Sequence, residues 1–224
     1  ILRSNLWKRP IYFAISVQSD AYLGLNNYFQ QEGLTYRLVP YITKQEDGLP
    51  GGVQSDVMYN NMMHKFAWGG VDKHDVYLDE NINRMVTNLR SNFARLSAAL
   101  IQEGKMDSAI QVLDKCMAVL PEKNVPVATI NVALGKNYYD AGAREKGKVI
   151  LQRCLDVYTD QLRYYTSLDV DKRKYYTPEI NEGVYILNNI VQVTQKNAET
   201  DLNKKAQDAF NKYVNYYTPP DQGQ

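Results

Sequence analysis

From about residue 80 onward, apolar residues recur at steps of three and four. Ile82, Met85, Leu89, Phe93, Leu96 and Leu100 form one stripe, and that period predicts a single helix from about residue 80 to 103. Two further stretches repeat a common order of large, small and turn-forming positions. In FARLSAALIQEGKMDSAIQVLDKCMAVLP, residues 93 to 121, the order is Phe93, Leu96, Ser97, Leu100, Gly104, Ala109, Leu113, Cys116 and Pro121. In NVALGKNYYDAGAREKGKVILQRCLDVYT, residues 131 to 159, it returns as Leu134, Gly135, Tyr138, Gly142, Gly147, Leu151 and Cys154, each shared position lying 38 residues after its counterpart.

This is the order of a tetratricopeptide repeat: two antiparallel helices that approach closely only where small side chains sit at their crossing. Ser97, Ala109, Gly135 and Gly147 supply those positions. Cys116 and Cys154 occupy equivalent places in successive repeats and read as small apolar fillers rather than a disulfide or a reactive thiol. Gly104 and Gly142 fit the left-handed residue that ends a first helix, and Asp107 is placed to cap a second. The usual period is about 34 residues, so the extra length falls in the loop EKNVP at 122 to 126. A third, degenerate pair spans 178 to 198 and 201 to 217; Ala206, Phe210 and Tyr213 echo the second-helix pattern, but its turn has no glycine.

Residues 1 to 78 follow another pattern. IYFAISV (11 to 17) and LTYRLVPYI (34 to 42) are rich in β-branched and aromatic residues and predict strands. AYLGLNNYFQQEG between them predicts a short amphipathic helix closed by Gly33. EDGLPGG at 46 to 52 is a loop, and a helix follows around 55 to 68. ILRSN at the start reads as the last turn of a helix arriving from chain further upstream, which Pro10 prevents from continuing. The expected fold is mainly α, a tetratricopeptide-like α-α superhelix of two clear pairs and one degenerate pair preceded by a small β-α-β element. The expected division is 1–45 for that element, 46–78 for a loop and linking helix, 79–217 for the repeats and 218–224 for a disordered tail.

Charge narrows the function. With 26 Lys and Arg against 25 Asp and Glu, the basic footprint of a nucleic-acid binder is missing, and no run of apolar residues reaches the length of a membrane span. His64 and His74 have no cysteine near them and read as surface residues. Asp169 and Asp171 have the Asp-x-Asp spacing by which some glycosyltransferases hold a divalent cation, within a charged loop that reads as solvated. No nucleophile elbow, phosphate loop or metal motif occurs, so neither a catalytic residue, a metal nor a cofactor is expected. Repeat arrays of this kind bind proteins or peptides in a groove lined by the first helices. The positions after the Leu-small pair, Ala98 and Ile101 in one repeat and Lys136 and Tyr139 in the next, are the groove candidates. Alanines there disfavour a clamp for a terminal carboxylate. The repeats alone leave open a freestanding tetratricopeptide interaction adaptor; tyrosine is abundant, 18 of 224 residues, and four Tyr-Tyr pairs leave open a carbohydrate-binding module.

WKRPIYFA (7–14), AYLGLNNYFQQEGLTYRLVP (21–40), the run from VYLDENINRMV to KCMAVLP (76–121) and QLRYY (161–165) together resemble the C-terminal region of a bacterial family of large multipass membrane proteins, formerly a domain of unknown function and related to protein O-mannosyltransferases. The resemblance implies a soluble extracytoplasmic, periplasmic domain after the last membrane span. It implies a non-catalytic role as an accessory or interaction domain that binds a protein partner or acceptor, or that braces an upstream membrane domain of the same chain. The catalytic acid expected of such proteins lies upstream of Ile1, so no catalytic role transfers to a residue here. Trp7, Lys8 and Arg9 become candidates for an interface with that upstream region.

Overall fold

The computed structural model describes residues 3–43 and 48–218. Ile1 and Leu2 of the expected arriving helix, the first two residues of the 46–52 loop and the tail beyond Thr218 lie outside the described residues. The chain forms two compact units, residues 1–77 with 91–124, and residues 78–90 with 125–224.

The first unit begins with a small sheet. Strands β1 (Tyr12–Ala14), β2 (Phe29–Gln31), β3 (Thr35–Leu38) and β4 (Gly52–Val53) lie in the order β1-β3-β2-β4. β1 and β3 run antiparallel, Tyr12 opposite Arg37, and β4 joins β2 in parallel, Gln30 opposite Gly52. The expected β-α-β element is therefore corrected: its two outer strands are antiparallel and its helix is replaced by two 3-10 turns, Ser19–Tyr22 and Asn26–Tyr28, followed by β2. Leu23 and Gly24, both with positive φ, interrupt any α-helix there. The helical spacing of Tyr22, Leu25 and Phe29 still marks residues that share one core. Tyr22, Phe29, Tyr36 and Leu38 are buried together, with Trp7, Phe13 and Leu25 packed against them. Phe29 stacks on Tyr36 with ring centroids 5.5 Å apart, and Tyr22 meets Phe29 edge-on at 5.1 Å, contacts that stabilise beyond simple burial.

After β4 comes α1 (Ser55–Asn60), extended by a π-helical turn over Asn61–Lys65. Helix α2 (Glu80–Gln102) closely matches the predicted span; its residues to Arg90 belong to the second unit and those from Ser91 to the first. The apolar stripe holds only in part: Phe93, Leu96 and Leu100 are buried, while Ile82 and Met85 are exposed and Arg90 is fully buried. Arg90 donates to the carbonyls of Val125 at 2.7 Å and Pro126 at 2.6 Å and to Asn131 Oδ1 at 3.1 Å. It thereby holds the loop that carries the repeat's extra residues. α3 (Met106–Val119) completes the first hairpin. Asp107 lies in its first turn and makes no cap; Lys105 holds the cap position without a side-chain bond. The carboxylate is thus inside the first turn, where it complements the positive end of the helix dipole without capping it.

The second unit carries α4 (Ile130–Asp140), α5 (Arg144–Ser167), the short α6 (Val170–Arg173), α7 (Thr177–Lys196) and α8 (Thr200–Tyr213). α4 packs on α5, α7 on α8, and α5 on both α7 and α8, the pair-upon-pair stacking of a helical superhelix. A Cβ on Gly147 would come within 2.8 Å of the Gly135 carbonyl oxygen and 2.7 Å of the Tyr139 ring, and one on Gly183 within 2.9 Å of Leu162. Cys116 and Cys154 are buried and form no disulfide, as expected of fillers.

All three hairpins share one turn. Gly104 N–H donates to Ile101 and Lys105 N–H to Leu100; Gly142 and Ala143 repeat this onto Tyr139 and Tyr138; Ala198 and Glu199 repeat it onto Gln195 and Thr194. The central residue has φ of 75° at Gly104, 87° at Gly142 and 54° at Ala198. The degenerate pair therefore keeps the turn and places an alanine in the left-handed position.

Candidate functional site

A groove of about 710 Å³ opens in the first unit. One wall is α2, through Ala98, Ala99, Gln102 and Glu103; the other is the sheet edge, through Gln30, Gly52 and Val53; Tyr41 and Ile42 stand at the mouth, 52% and 72% exposed.

Its base is a buried polar network. Arg95, 7% exposed, donates to Gln31 Oε1 at 2.6 Å, to the Gly51 carbonyl at 2.6 Å and to the Pro50 carbonyl at 3.2 Å. Gln31 in turn donates to Asn92 Oδ1 at 2.6 Å and to the Gly33 carbonyl at 2.9 Å. A buried guanidinium is tolerated only where acceptors replace its water, and these acceptors come from β2 and the loop before β4. Gly51 must approach closely to offer its carbonyl. It has φ of 68°, and a Cβ there would lie 2.2 Å from the Phe29 carbonyl oxygen, so no other residue fits. Thr43 Oγ1 donates to the Phe29 carbonyl at 2.6 Å and accepts from Gly52 N–H at 3.1 Å, tying the loop to the sheet.

The rim is amide-rich and carries charge of both signs. Gln30 donates to Gln54 at 3.1 Å and accepts from Tyr41 Oη at 3.3 Å. Glu103 accepts from Ser55 Oγ at 2.8 Å and pairs with Lys105 at 2.8 Å. Lys105 also meets Asp56 at 2.7 Å, and hydrogen bonds to Asp56 and Glu103 push its pKa up to about 12. Lys105 therefore stays charged at any physiological pH. Chemically, the groove offers one amide on each wall, Gln30 on the sheet edge and Gln102 on α2, beside the small side chains of Ala98 and Ala99.

Of the residues singled out from the sequence, Ala98 lines the groove and Ile101 is half-buried one turn further along α2. Lys136 and Tyr139 belong to the second unit. Lys136 is exposed and paired with Asp140. Tyr139 is buried; its hydroxyl is pushed up to about 12, first by burial and then by the nearby Glu199 carboxylate. Trp7 packs partly buried against the aromatic cluster of the sheet, while Lys8 and Arg9 are exposed. His64 and His74 are exposed. Asp169 and Asp171 are exposed and face Lys172 at 3.6 Å and Lys174 at 3.1 Å. Among the described residues no three His, Cys, Asp or Glu side chains gather to hold a metal, and no helix is long and apolar enough to cross a membrane.

Sequence reasoning missed Gln31, Asn92, Arg95 and Gly51. The available signal was Asn92 and Arg95, two polar residues three apart on a helix, on either side of the apolar Phe93 and next to Leu96, and the Pro-Gly-Gly at 50–52.

Residues 1–58 match the family model TMEM260-associated domain 2. No curated protein and no solved structure matches the chain. The matched stretch holds all four strands and the sheet side of the groove, Gln30, Tyr41 to Thr43 and Gly51 to Val53.

Proposed function

We propose that this chain is a non-catalytic accessory region of a membrane glycosyltransferase-like protein related to O-mannosyltransferases, placed on the extracytoplasmic side of a bacterial inner membrane, where it binds an extended segment of an acceptor or partner polypeptide. The observation that carries the reading is the match of residues 1–58 to a TMEM260-associated domain, because that stretch builds one whole wall of the groove. The groove's character supports it: alanines on α2 admit a backbone, Gln30 and Gln102 offer amides to its peptide groups, and Tyr41 and Ile42 add apolar contact at the mouth. Glu103 at the rim opposes a bound terminal carboxylate, which favours an internal segment.

Two measurements test this. The reading frame upstream of Ile1 is expected to encode several apolar segments of about 20 residues; a frame with none overturns the membrane-protein reading in favour of a freestanding adaptor. In the full-length protein, Ala98→Arg fills the groove and is expected to raise the KM for the acceptor polypeptide while leaving that for the sugar donor unchanged. An unchanged acceptor KM removes the groove from the function.

A further inference from the structure

The second unit carries at one end a cluster of tyrosines that its core does not use. Tyr164 and Tyr165 end α5, Tyr175 and Tyr176 precede α7, and Tyr216 follows α8. Tyr165 stacks on Tyr176 with centroids 4.8 Å apart and planes 23° from parallel, and Tyr164 stands edge-on to Tyr165 at 5.5 Å. The Arg173 guanidinium lies over the Tyr216 ring at 5.2 Å and donates to the Thr166 carbonyl at 3.3 Å. Asn181 pins the end of the chain, donating to the Thr218 carbonyl at 2.6 Å and accepting from its N–H at 2.9 Å. Tyr165, Tyr176 and Tyr216 are thereby braced, and the neighbouring rings stand open to solvent, Tyr164 at 58% exposed and Tyr175 at 83%.

We propose that this end of the second unit is a platform for neutral glycan chains, bound by stacking pyranose rings on the exposed faces of Tyr164 and Tyr175, with phenol hydroxyls and flanking polar groups bonding sugar hydroxyls. The charges around the rings cancel locally: Asp160 pairs with Arg163 at 3.0 Å, Asp169 with Lys172 at 3.6 Å and Asp171 with Lys174 at 3.1 Å. A surface of that kind has no field to attract anionic lipid, nucleic acid or an acidic peptide. A proline-rich peptide requires an open slot between aromatic walls, and the closest pair here, Tyr165 and Tyr176, is already in ring-to-ring contact. What remains are separate ring faces beside hydrogen-bonding groups, which suit a ligand with apolar C–H faces and many hydroxyls.

The site is independent of the groove in the first unit, so its failure leaves the proposed accessory role standing. The test is titration of the 224-residue chain, followed by calorimetry and by NMR of labelled tyrosine rings, with cellohexaose, mannohexaose and maltohexaose. A polyproline decapeptide and vesicles containing one third phosphatidylglycerol serve as competing ligands. Saturable binding of at least one hexasaccharide is expected, weakened at least tenfold in Tyr164→Ala/Tyr175→Ala and retained in Tyr175→Phe, with unchanged thermal unfolding. Tyr175→Ala alone, at a highly exposed side chain, replaces the double variant should that one unfold. Binding of none of the three sugars, sugar binding indifferent to these substitutions, or loss in the variants of peptide or vesicle binding instead overturns the proposal.

Discussion

The two units each bury one guanidinium, Arg95 in the first and Arg90 in the second, but they differ in what else fastens them. In the first, a small sheet is fastened by a buried polar network in which the Arg95 guanidinium meets Gln31 and two loop carbonyls. In the second, helices are held by the absence of side chains, as at Gly135, Gly147 and Gly183, where backbones and aliphatic groups approach too closely for a Cβ. Close packing at a small residue tolerates many sequences that keep the notch. A buried guanidinium is stringent, since each acceptor it serves becomes an unsatisfied group when it is removed.

That contrast breaks first at Arg95. Arg95→Met keeps the volume but leaves Gln31 and the Pro50 and Gly51 carbonyls short of a donor; a loss of about 4 kcal/mol is expected. Urea unfolding measures it, and hydrogen exchange should show the loss concentrated in residues 29–53. Next comes Gly147→Val, which forces a side chain against Tyr139 and the Gly135 carbonyl and should cost about 3 kcal/mol, with exchange rising in α4 and α5. If Arg95→Met is the milder of the two, the first unit owes less to its polar network than the geometry implies.

Tyr139 sharpens the comparison through pH. Its folded pKa is raised to about 12 from 10.0 by burial and by Glu199, so the folded state holds its proton where the unfolded chain releases it. The resulting stability is complete below pH 10 and is lost as pH rises toward 12. Alkaline unfolding followed by tyrosinate absorbance should show this loss, and Tyr139→Phe should flatten that part of the profile. The smallest effect is a gain: Ala198→Gly relieves a left-handed alanine at φ of 54° and should stabilise the third hairpin by about 1 kcal/mol, visible as a higher Tm.

The repeats were legible because packing at a helix crossing demands small residues at a set spacing, which the 38-residue offset displays directly. The third turn was legible only in part, since its left-handed residue is an alanine and the missing glycine hid a turn identical in hydrogen bonding. The sheet was half legible. Tyr22, Leu25 and Phe29 have a spacing that fits one face of a helix, and they do share a core, but the same spacing is met by two short turns and a strand. Of the residues that line the groove, only Ala98 was named from the sequence, because helix periodicity gives facing within one element. Gln30, Thr43 and Gly51 come to it through strand pairing and a loop.

Taken by itself, the sequence determined the helical hairpins and the small residues at their crossings, together with a net charge near zero. These are local or periodic properties, set by spacing and by side-chain size. The tertiary structure alone decided the order β1-β3-β2-β4, the burial of Arg95 against carbonyls 44 and 45 positions away in the chain, and the gathering of tyrosines from three segments into one cluster. Each of these depends on contacts between residues far apart along the chain, and the free energy of such contacts has no signature in local spacing.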